Sequence, residues 1–224
     1  MLFLIGGFLL LIVLGFPIVF ALALVSFAYL AVFDIPVITM AQKMISGIDT
    51  YALLAVPFFI LAGNLMNTGG VTRRLFRFAS SLVGFIPGGL GHANVLASMI
   101  FAGMSGAAIA DAGGLGTIEI KAMQDEGFDT KFSAAVTAAS STIGPIIPPS
   151  IPMVIYASIA NVSVGKLFLA GALPGILMGV ALMIMVYIMA KKKNYPVHSR
   201  FSLKGATSSF VDGFLPLMTP AIIL

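Results

Sequence analysis

A proline-rich segment in the second half of the chain has the clearest chemical meaning. Residues 140–152 read SSTIGPIIPPSIP, which places four prolines within eight residues. Each proline removes a backbone donor and clashes with the preceding turn, so no α-helix continues through this stretch. The sequence therefore predicts two half-helices, about 131–143 and 152–162, joined by an extended link.

The facing ends of these half-helices carry backbone groups that can bind ions. Unpaired carbonyls end the first half-helix, and unpaired N–H groups begin the second. Together with the hydroxyls of Ser140, Ser141 and Thr142, the carbonyls are hard oxygen ligands suited to Na⁺, while a helix N-terminus suits a carboxylate. Secondary transporters build their sites from such broken helices. A kink that only shapes packing is the alternative, and it accounts for one proline better than for four.

A glycine-rich tetrapeptide, Gly103-Met104-Ser105-Gly106, is the second candidate. It lies between apolar arms at 93–102 and 107–118, each about half as long as a membrane is thick. Because glycine permits a chain reversal, residues 92–120 are predicted to form a re-entrant hairpin with a tip buried in protein or lining a cavity. A single tilted helix with small residues for close packing is the alternative.

Asp111 lies in the second arm of this hairpin. A carboxylate at membrane depth is costly and is by default functional. It could cap the second arm, ligate an ion, carry a proton or contact substrate. We expect the cap, with ion or substrate contact as the next hypothesis.

Overall composition places these segments in a membrane protein. The 224 residues are 59% hydrophobic and 9% charged, whereas a soluble domain has about 25% charged residues. A disordered chain, a cytosolic enzyme and a nucleic-acid binder are excluded on this basis. The chain has no cysteine, so it has no disulfide, thiolate nucleophile or Cys-based metal site.

Charged residues divide the chain into elements. Residues 2–33 are uncharged and interrupted by Gly15-Phe16-Pro17, which indicates one bent span or two elements. Residues 34–50 are interpreted as an interfacial loop. The remaining predicted elements are a span at 51–67, an interfacial amphipathic helix at 71–86, the hairpin at 92–120, the broken helix at 130–164, a span at 167–190, a cytoplasmic linker at 194–212 and an apolar run at 213–224. That run is too short to span, and it suggests that the chain is a fragment.

Basic residues favour the hairpin over a single span. With a re-entrant hairpin, ten Lys and Arg residues lie on the cytoplasmic side and two lie outside. An ordinary span at 92–120 would move Arg73, Arg74 and Arg77 outside. The positive-inside tendency therefore supports an all-α integral membrane protein in which this segment enters and leaves from one side.

Three stretches together are similar to one known family. Residues 52–66 (ALLAVPFFILAGNLM), 103–111 (GMSGAAIAD) and 144–152 (GPIIPPSIP) resemble the large membrane subunit of tripartite ATP-independent periplasmic (TRAP) transporters. The resemblance covers essentially the whole chain. It implies an elevator-type Na⁺ symporter built from two inverted repeats, of which residues 1–193 are the first and 213–224 open a truncated second.

The resemblance also implies site residues. One Na⁺ would lie between the hairpin tip and the broken helix, and it is the coupling ion with no other cofactor. Its ligands, mostly backbone carbonyls, would come from Ser105, Gly106 and Ala108 at the tip and from Thr142, Gly144 and Pro148 at the break. Ser150 would face a substrate carboxylate, and Asp111 is the second substrate candidate.

The same resemblance implies partners and a location. A multi-pass protein of the bacterial inner membrane would work with a small four-helix membrane subunit and a periplasmic solute-binding protein. The substrate would be a small carboxylate, such as a C4-dicarboxylate or sialic acid; neither enzyme activity nor nucleic-acid binding is expected.

Three other functions are alternatives to a TRAP permease. The closest is another elevator-type anion or ion transporter, and a non-transporting scaffold is more remote. An intramembrane serine protease is also remote: the pattern around Ser105 is G-x-S-G, but a nucleophilic serine needs a base, and the chain offers only His92 and His198.

Overall fold

The computed structural model describes residues 2–49, 51–199 and 202–223. Within them the protein is all-α, with twelve helices and no strand. The helices are α1 (Leu2–Val13), α2 (Ile18–Val32), α3 (Ile38–Ile48), α4 (Tyr51–Thr68), α5 (Val71–Val83), α6 (Gly89–Ser105), α7 (Ala108–Gly113), α8 (Leu115–Asp125), α9 (Thr130–Ser141), α10 (Ile151–Ala160), α11 (Val164–Lys193) and α12 (Leu203–Ile223). Two compact units divide the chain, residues 1–51 and 52–224.

The first unit contains α1, α2 and α3. Gly15, with φ +84°, and Pro17 separate α1 from α2, so the apolar segment 2–33 is two helices packed against each other. The interfacial loop expected at 34–50 is wrong, because α3 occupies most of it. Its first turn forms after Pro36, whose carbonyl accepts from the Thr39 N–H at 2.9 Å. The few charges of this segment suggested a loop, but they do not interrupt a helix.

The amphipathic α5 begins the packed part of the second unit. Leu75, Phe76 and Ala79 are buried, while Arg73, Arg74 and Arg77 are exposed on the opposite side. The buried face packs against α6 and α12. The apolar stripe of this helix therefore contributes to the protein core, which α5, α6, α8, α9 and α11 share.

Helices α6, α7 and α8 form an antiparallel hairpin. The chain reverses at Gly106, with φ +60°, and Ala107, which is extended. The far ends of the two arms then meet, since the Asn94 amide nitrogen lies 3.9 Å from the sulfur of Met123. Gly114 separates α7 from α8, so the second arm is bent where the first is continuous.

The broken helix consists of α9 and α10 with the link 142–150 between them. Asp129 caps α9 by accepting from the Lys131 N–H at 2.9 Å. Ser150 caps α10, and Pro152 lies in its first turn. The bounds of both half-helices lie within two residues of the sequence-based limits, and the two inner ends flank the prolines that interrupt the helix.

Helix α11 is, by itself, long and apolar enough to cross a membrane. At 30 residues it is about 45 Å long. Its buried glycines at 171, 175 and 179 face Met153, Ile147 and Met99, so the link and the hairpin pack closely on this helix.

Helix α12 begins inside the segment expected to be a linker, 194–212. Ser202 starts it, with its hydroxyl accepting from the Gly205 N–H at 3.3 Å. Asp212 lies 3.6 Å from Arg77 and 3.9 Å from Arg74. The second half of the expected linker is therefore helical, and its Asp212 contacts the arginines of α5.

Candidate functional site

The tip of the hairpin contacts the link of the broken helix. The N–H of Ile151 donates to the carbonyl of Gly106 at 3.2 Å. A Cβ on Gly106 would lie 2.7 Å from the carbonyl oxygen of Pro149, and one on Gly144 would lie 3.3 Å from the carbonyl carbon of Ala107. The two segments selected from the sequence are therefore in backbone contact, and glycine permits that approach on both sides.

Ser105 carries a buried hydroxyl at the end of α6. The residue is 2% exposed, and its Oγ has no hydrogen-bond partner among the described residues. It lines a cavity of about 440 Å³ together with Asn64, Asn67, Ala107 and Ile151. An unpaired hydroxyl beside the tip carbonyls is an oxygen donor available to an ion.

Three other residues expected at the Na⁺ site, Ala108, Pro148 and Thr142, differ in their burial and in their contacts. Ala108 begins α7, and its backbone nitrogen would lie 3.4 Å from a Cβ on Gly144. Pro148 is buried in the link, and its peptide bond to Pro149 is cis. Thr142 is exposed, and its hydroxyl donates its proton to the Ala139 carbonyl at 2.6 Å, which leaves the oxygen lone pairs and the backbone carbonyl as possible ion ligands.

Ser150 has a local structural role. It is fully buried, its hydroxyl donates to the Pro145 carbonyl at 2.5 Å, and the same oxygen accepts from the Met153 N–H at 3.3 Å. The hydroxyl therefore holds the link against the first turn of α10. The N–H groups of the first turn of α10 are already paired, those of Ile151, Met153 and Val154 with Gly106 and Ser150, so a substrate carboxylate near Ser150 would meet the positive end of the helix dipole.

Asp111 does not cap the second arm, and that expectation is wrong. The N-cap of α7 is Ala107, without a side-chain hydrogen bond, and the N–H of Asp111 donates to the Ala107 carbonyl at 3.2 Å. The carboxylate lies within the helix and interacts with Ser98 of α6 and Ser141 of α9. The sequence predicted that Asp111 lies in the hairpin, but the direction of its side chain depends on which helices surround it.

A buried polar network next to this carboxylate was missed. The Asn94 amide donates to the Thr137 hydroxyl at 2.6 Å, and its oxygen accepts from Ser140 at 2.7 Å. The Ser98 hydroxyl lies 3.1 Å from that of Ser140. The sequence did contain a signal for this network. Asn94 and Ser98 are polar residues four positions apart on an otherwise apolar helix, and this spacing places both on one face of the helix.

The two histidines do not reach Ser105. His92 lies in the first turn of the helix that ends at Ser105, about 20 Å away along the axis. His198 pairs through Nδ1 with the carboxylate of Glu126. The geometry of a serine nucleophile and its base is therefore missing from this hairpin.

An ion pair and an aromatic contact join the exposed turn before α9 to the end of α11. The Lys131 N–H, and then the Lys193 ammonium at 3.3 Å, hold the pKa of Asp129 below its usual value. Tyr195 stacks on Phe128 with ring centroids 4.4 Å apart. These contacts connect the end of α11 to the start of α9.

An all-α protein with a broken helix and a hairpin whose tip meets it is typical of membrane transport proteins. The chain belongs to the family of the tripartite ATP-independent periplasmic transporter, DctM component, whose model matches residues 5–224. This confirms the resemblance found in the three motifs.

The curated relatives are named as permeases. The chain is 50% identical over 211 residues to the sialic acid TRAP transporter large permease protein SiaM of Vibrio cholerae, covering 94% of this chain and 49% of the relative. It is 39% identical to the 2,3-diketo-L-gulonate TRAP transporter large permease protein YiaN of Escherichia coli (99% and 51%) and 44% identical to the C4-dicarboxylate TRAP transporter large permease protein DctM of Pseudomonas aeruginosa (83% and 44%).

The chain spans about half the length of these relatives. The names of these relatives are those of transport proteins and not of enzymes, in agreement with the class expected from the sequence.

Proposed function

We propose that this chain is the N-terminal half of a Na⁺-coupled permease that imports a small carboxylate-bearing solute. The observation that carries the proposal is the backbone contact between Gly106 at the hairpin tip and Ile151 at the start of α10. It brings two interrupted helices together, and helix interruptions are where secondary transporters bind ions and substrate.

The coupling ion would bind where the tip meets the link. Ser105 supplies an unpaired hydroxyl oxygen, and the carbonyls of Gly106, Ala108, Thr142, Gly144 and Pro148 are the other proposed ligands. Gly106 already accepts one hydrogen bond, but a carbonyl oxygen has a second lone pair. The ligand set is neutral, which suits a monovalent cation better than a divalent one.

The substrate would approach the N-terminus of α10, next to Ser150. Relatives carry sialic acid, 2,3-diketo-L-gulonate and C4-dicarboxylates in their names, and each of these solutes bears a carboxylate. The positive end of a helix dipole favours such a group. Asp111, the other substrate candidate, is buried, and its carboxylate would repel that of a substrate.

The architecture follows the same proposal. Residues 1–193 would be the first of two inverted repeats, with the hairpin α6–α8 re-entrant and the hairpin and broken helix moving together as the mobile body of an elevator. The protein would be a multi-pass protein of the bacterial inner membrane. A small four-helix membrane subunit and a periplasmic solute-binding protein would complete the transporter, as the tripartite family name indicates.

Transport by the full-length protein tests the proposal. The protein would be reconstituted with its small subunit in liposomes, and uptake of labelled sialic acid and of succinate would be measured with the binding protein present. We expect uptake of one of them to need an inward Na⁺ gradient. Uptake that is unchanged when choline replaces Na⁺ would contradict Na⁺ coupling while leaving the family assignment intact.

A further inference from the structure

Glu119 carries a carboxyl group that is buried in the hairpin without a polar partner. The residue is 0% exposed, and neither of its side-chain oxygens has a hydrogen-bond partner among the described residues. Burying an isolated carboxylate costs far more than burying a neutral polar group, because the charge loses its hydration. A carboxyl group in this position therefore needs either an opposite charge or a proton.

The buried face of α8 places this side chain between α6 and α9. Gly116, Glu119 and Met123 lie on that face, at the three- and four-residue spacing of one side of a helix. A Cβ on Gly116 would lie 2.6 Å from the Thr137 methyl group, and the sulfur of Met123 lies 3.9 Å from the Asn94 amide nitrogen. Glu119 is therefore one turn from a contact with α9 and one turn from a contact with α6.

The helices that pack on α8 supply no cation to Glu119. They are α5, α6, α7 and α9. Their charged or titratable side chains, together with the others of α8 itself, are those of Arg73, Arg74, Arg77, His92, Asp111, Lys121, Asp125 and Lys131. The arginines and lysines of this set are exposed, and no ion pair in the described part of the chain includes Glu119. The His92 ring lies beside Tyr187 of α11, with ring centroids 6.4 Å apart.

A second buried acid lies close to Glu119 instead. Asp111 is 1% exposed, and the two side chains repel each other when both are ionised. Asp111 interacts with the Ser98 and Ser141 hydroxyls, whereas the oxygens of Glu119 have no polar contact within the described residues. Of the two acids, Glu119 is therefore the one whose charge has less support from its surroundings.

We propose that Glu119 binds a proton in the folded protein at neutral pH and packs between α6 and α9 as a neutral carboxylic acid. The proton comes from the solvent and adds to one carboxylate oxygen, and no other bond changes. At neutral pH the hairpin can expose this face of α8 to water only with loss of the proton. The bound proton therefore holds the hairpin against α9, and this role depends on neither the proposed coupling ion nor the substrate.

The proposal predicts how stability changes with pH. In the unfolded chain Glu119 is in water and ionises above about pH 4, whereas the folded protein retains the proton. Unfolding then releases a proton, so this residue makes the folded state less stable as the pH rises, by up to about tenfold in the folding equilibrium for each pH unit. Glu119→Gln removes the effect, because the amide is uncharged at every pH and has the size of the neutral acid.

The test is thermal unfolding of the purified full-length protein with its small subunit, from about pH 5 to about pH 8. The unfolding temperature of Glu119→Gln should rise relative to that of the parent as the pH increases. Asp125→Asn is the matched control, because Asp125 is an exposed carboxylate of the same helix, and its difference from the parent should stay constant over this range. If Glu119→Gln does not fold, Glu119→Met replaces it, with an apolar side chain of similar length.

Infrared spectroscopy observes the proton directly. A protonated carboxyl group has a C=O stretching band that an ionised carboxylate lacks, so the spectrum of the parent minus that of the Glu119 variant should contain this band at neutral pH. Its absence would overturn the proposal. A difference in unfolding temperature that is the same at every pH, or that shrinks as the pH rises, would also overturn it, because Glu119 would then be ionised in the folded protein.

Discussion

The carbonyl of Gly106 accepts a hydrogen bond from the N–H of Ile151 at 3.2 Å. One end of this bond is the tip of the hairpin, and the other is the first residue of α10. A free helix N-terminus exposes its first N–H groups, and here one of them is used to attach the hairpin. The tip and the start of α10 are therefore fixed to each other.

Gly106→Ala should disrupt this junction. Gly106 has φ +60°, and a Cβ there would lie 2.7 Å from the Pro149 carbonyl oxygen, a backbone atom. The left-handed conformation costs about 1–2 kcal/mol, and the overlap adds about 1–3 kcal/mol. Gly127→Ala is the control, since Gly127 has φ +86° and open space around it. Thermal unfolding should show the larger loss for Gly106→Ala, and equal losses would mean that the contact with Pro149 is unimportant.

Gly171→Ala should displace the link through α11. Its Cβ would lie 2.6 Å from the Ile146 carbonyl oxygen. Overpacking of this kind costs about 1–3 kcal/mol. Gly165→Ala, in the same helix with its nearest neighbour at 3.9 Å, should instead gain up to about 1 kcal/mol from helix propensity. Opposite signs in the unfolding temperature are expected, and destabilisation by both would refute the packing argument.

Ser150→Ala should cost more than the loss of an ordinary cap. Removing an N-cap hydroxyl costs about 1 kcal/mol, and the Pro145 carbonyl would also lose its donor. The comparison is Ser163→Ala, which removes the exposed cap of α11. Unfolding temperatures measured under the same conditions should rank Ser150→Ala as the less stable variant, and the reverse order would contradict this role.

Asp129 should make stability depend on pH. Its pKa is lowered in the folded protein by the Lys131 N–H and then by Lys193, so it stabilises the fold above its unfolded pKa. That contribution is lost as the pH falls through the lowered folded pKa. Asp129→Asn retains a capping side chain without the charge. The difference in unfolding temperature between parent and variant should shrink below pH about 4, and a constant difference would contradict the assignment.

Labelling of single cysteines should reveal the topology, since the natural chain has none. Arg77 and Asp125 line one cavity with His198, and their side chains are 63% and 64% exposed. Arg77→Cys and Asp125→Cys should therefore react with an impermeant reagent from the same side of the membrane. Lys166→Cys, at the other end of α11 from Lys193, should react from the opposite side. Labelling of the first two from opposite sides would exclude a re-entrant hairpin.

The sequence by itself determined where the helices are interrupted. Pro145, Pro148 and Pro149 break α9 from α10, and Gly106 allows the reversal between α6 and α7, because proline and glycine act through their own backbone. These prolines and glycines also belong to the motifs by which the family was identified. The glycines on either side of Met104 and Ser105 predicted that Ser105 lies at the tip of the hairpin.

Only the tertiary structure decided what the polar side chains contact. Asp111 looked like a helix cap until α6 and α9 placed Ser98 and Ser141 beside it. The Thr142 hydroxyl donates its proton to the Ala139 carbonyl of its own helix, a contact that the sequence did not predict. Segment 34–50 was predicted to be a loop and 194–212 a linker, and each contains helical residues. The partner of a side chain depends on which helix packs against it, and that is a contact between residues far apart in the chain.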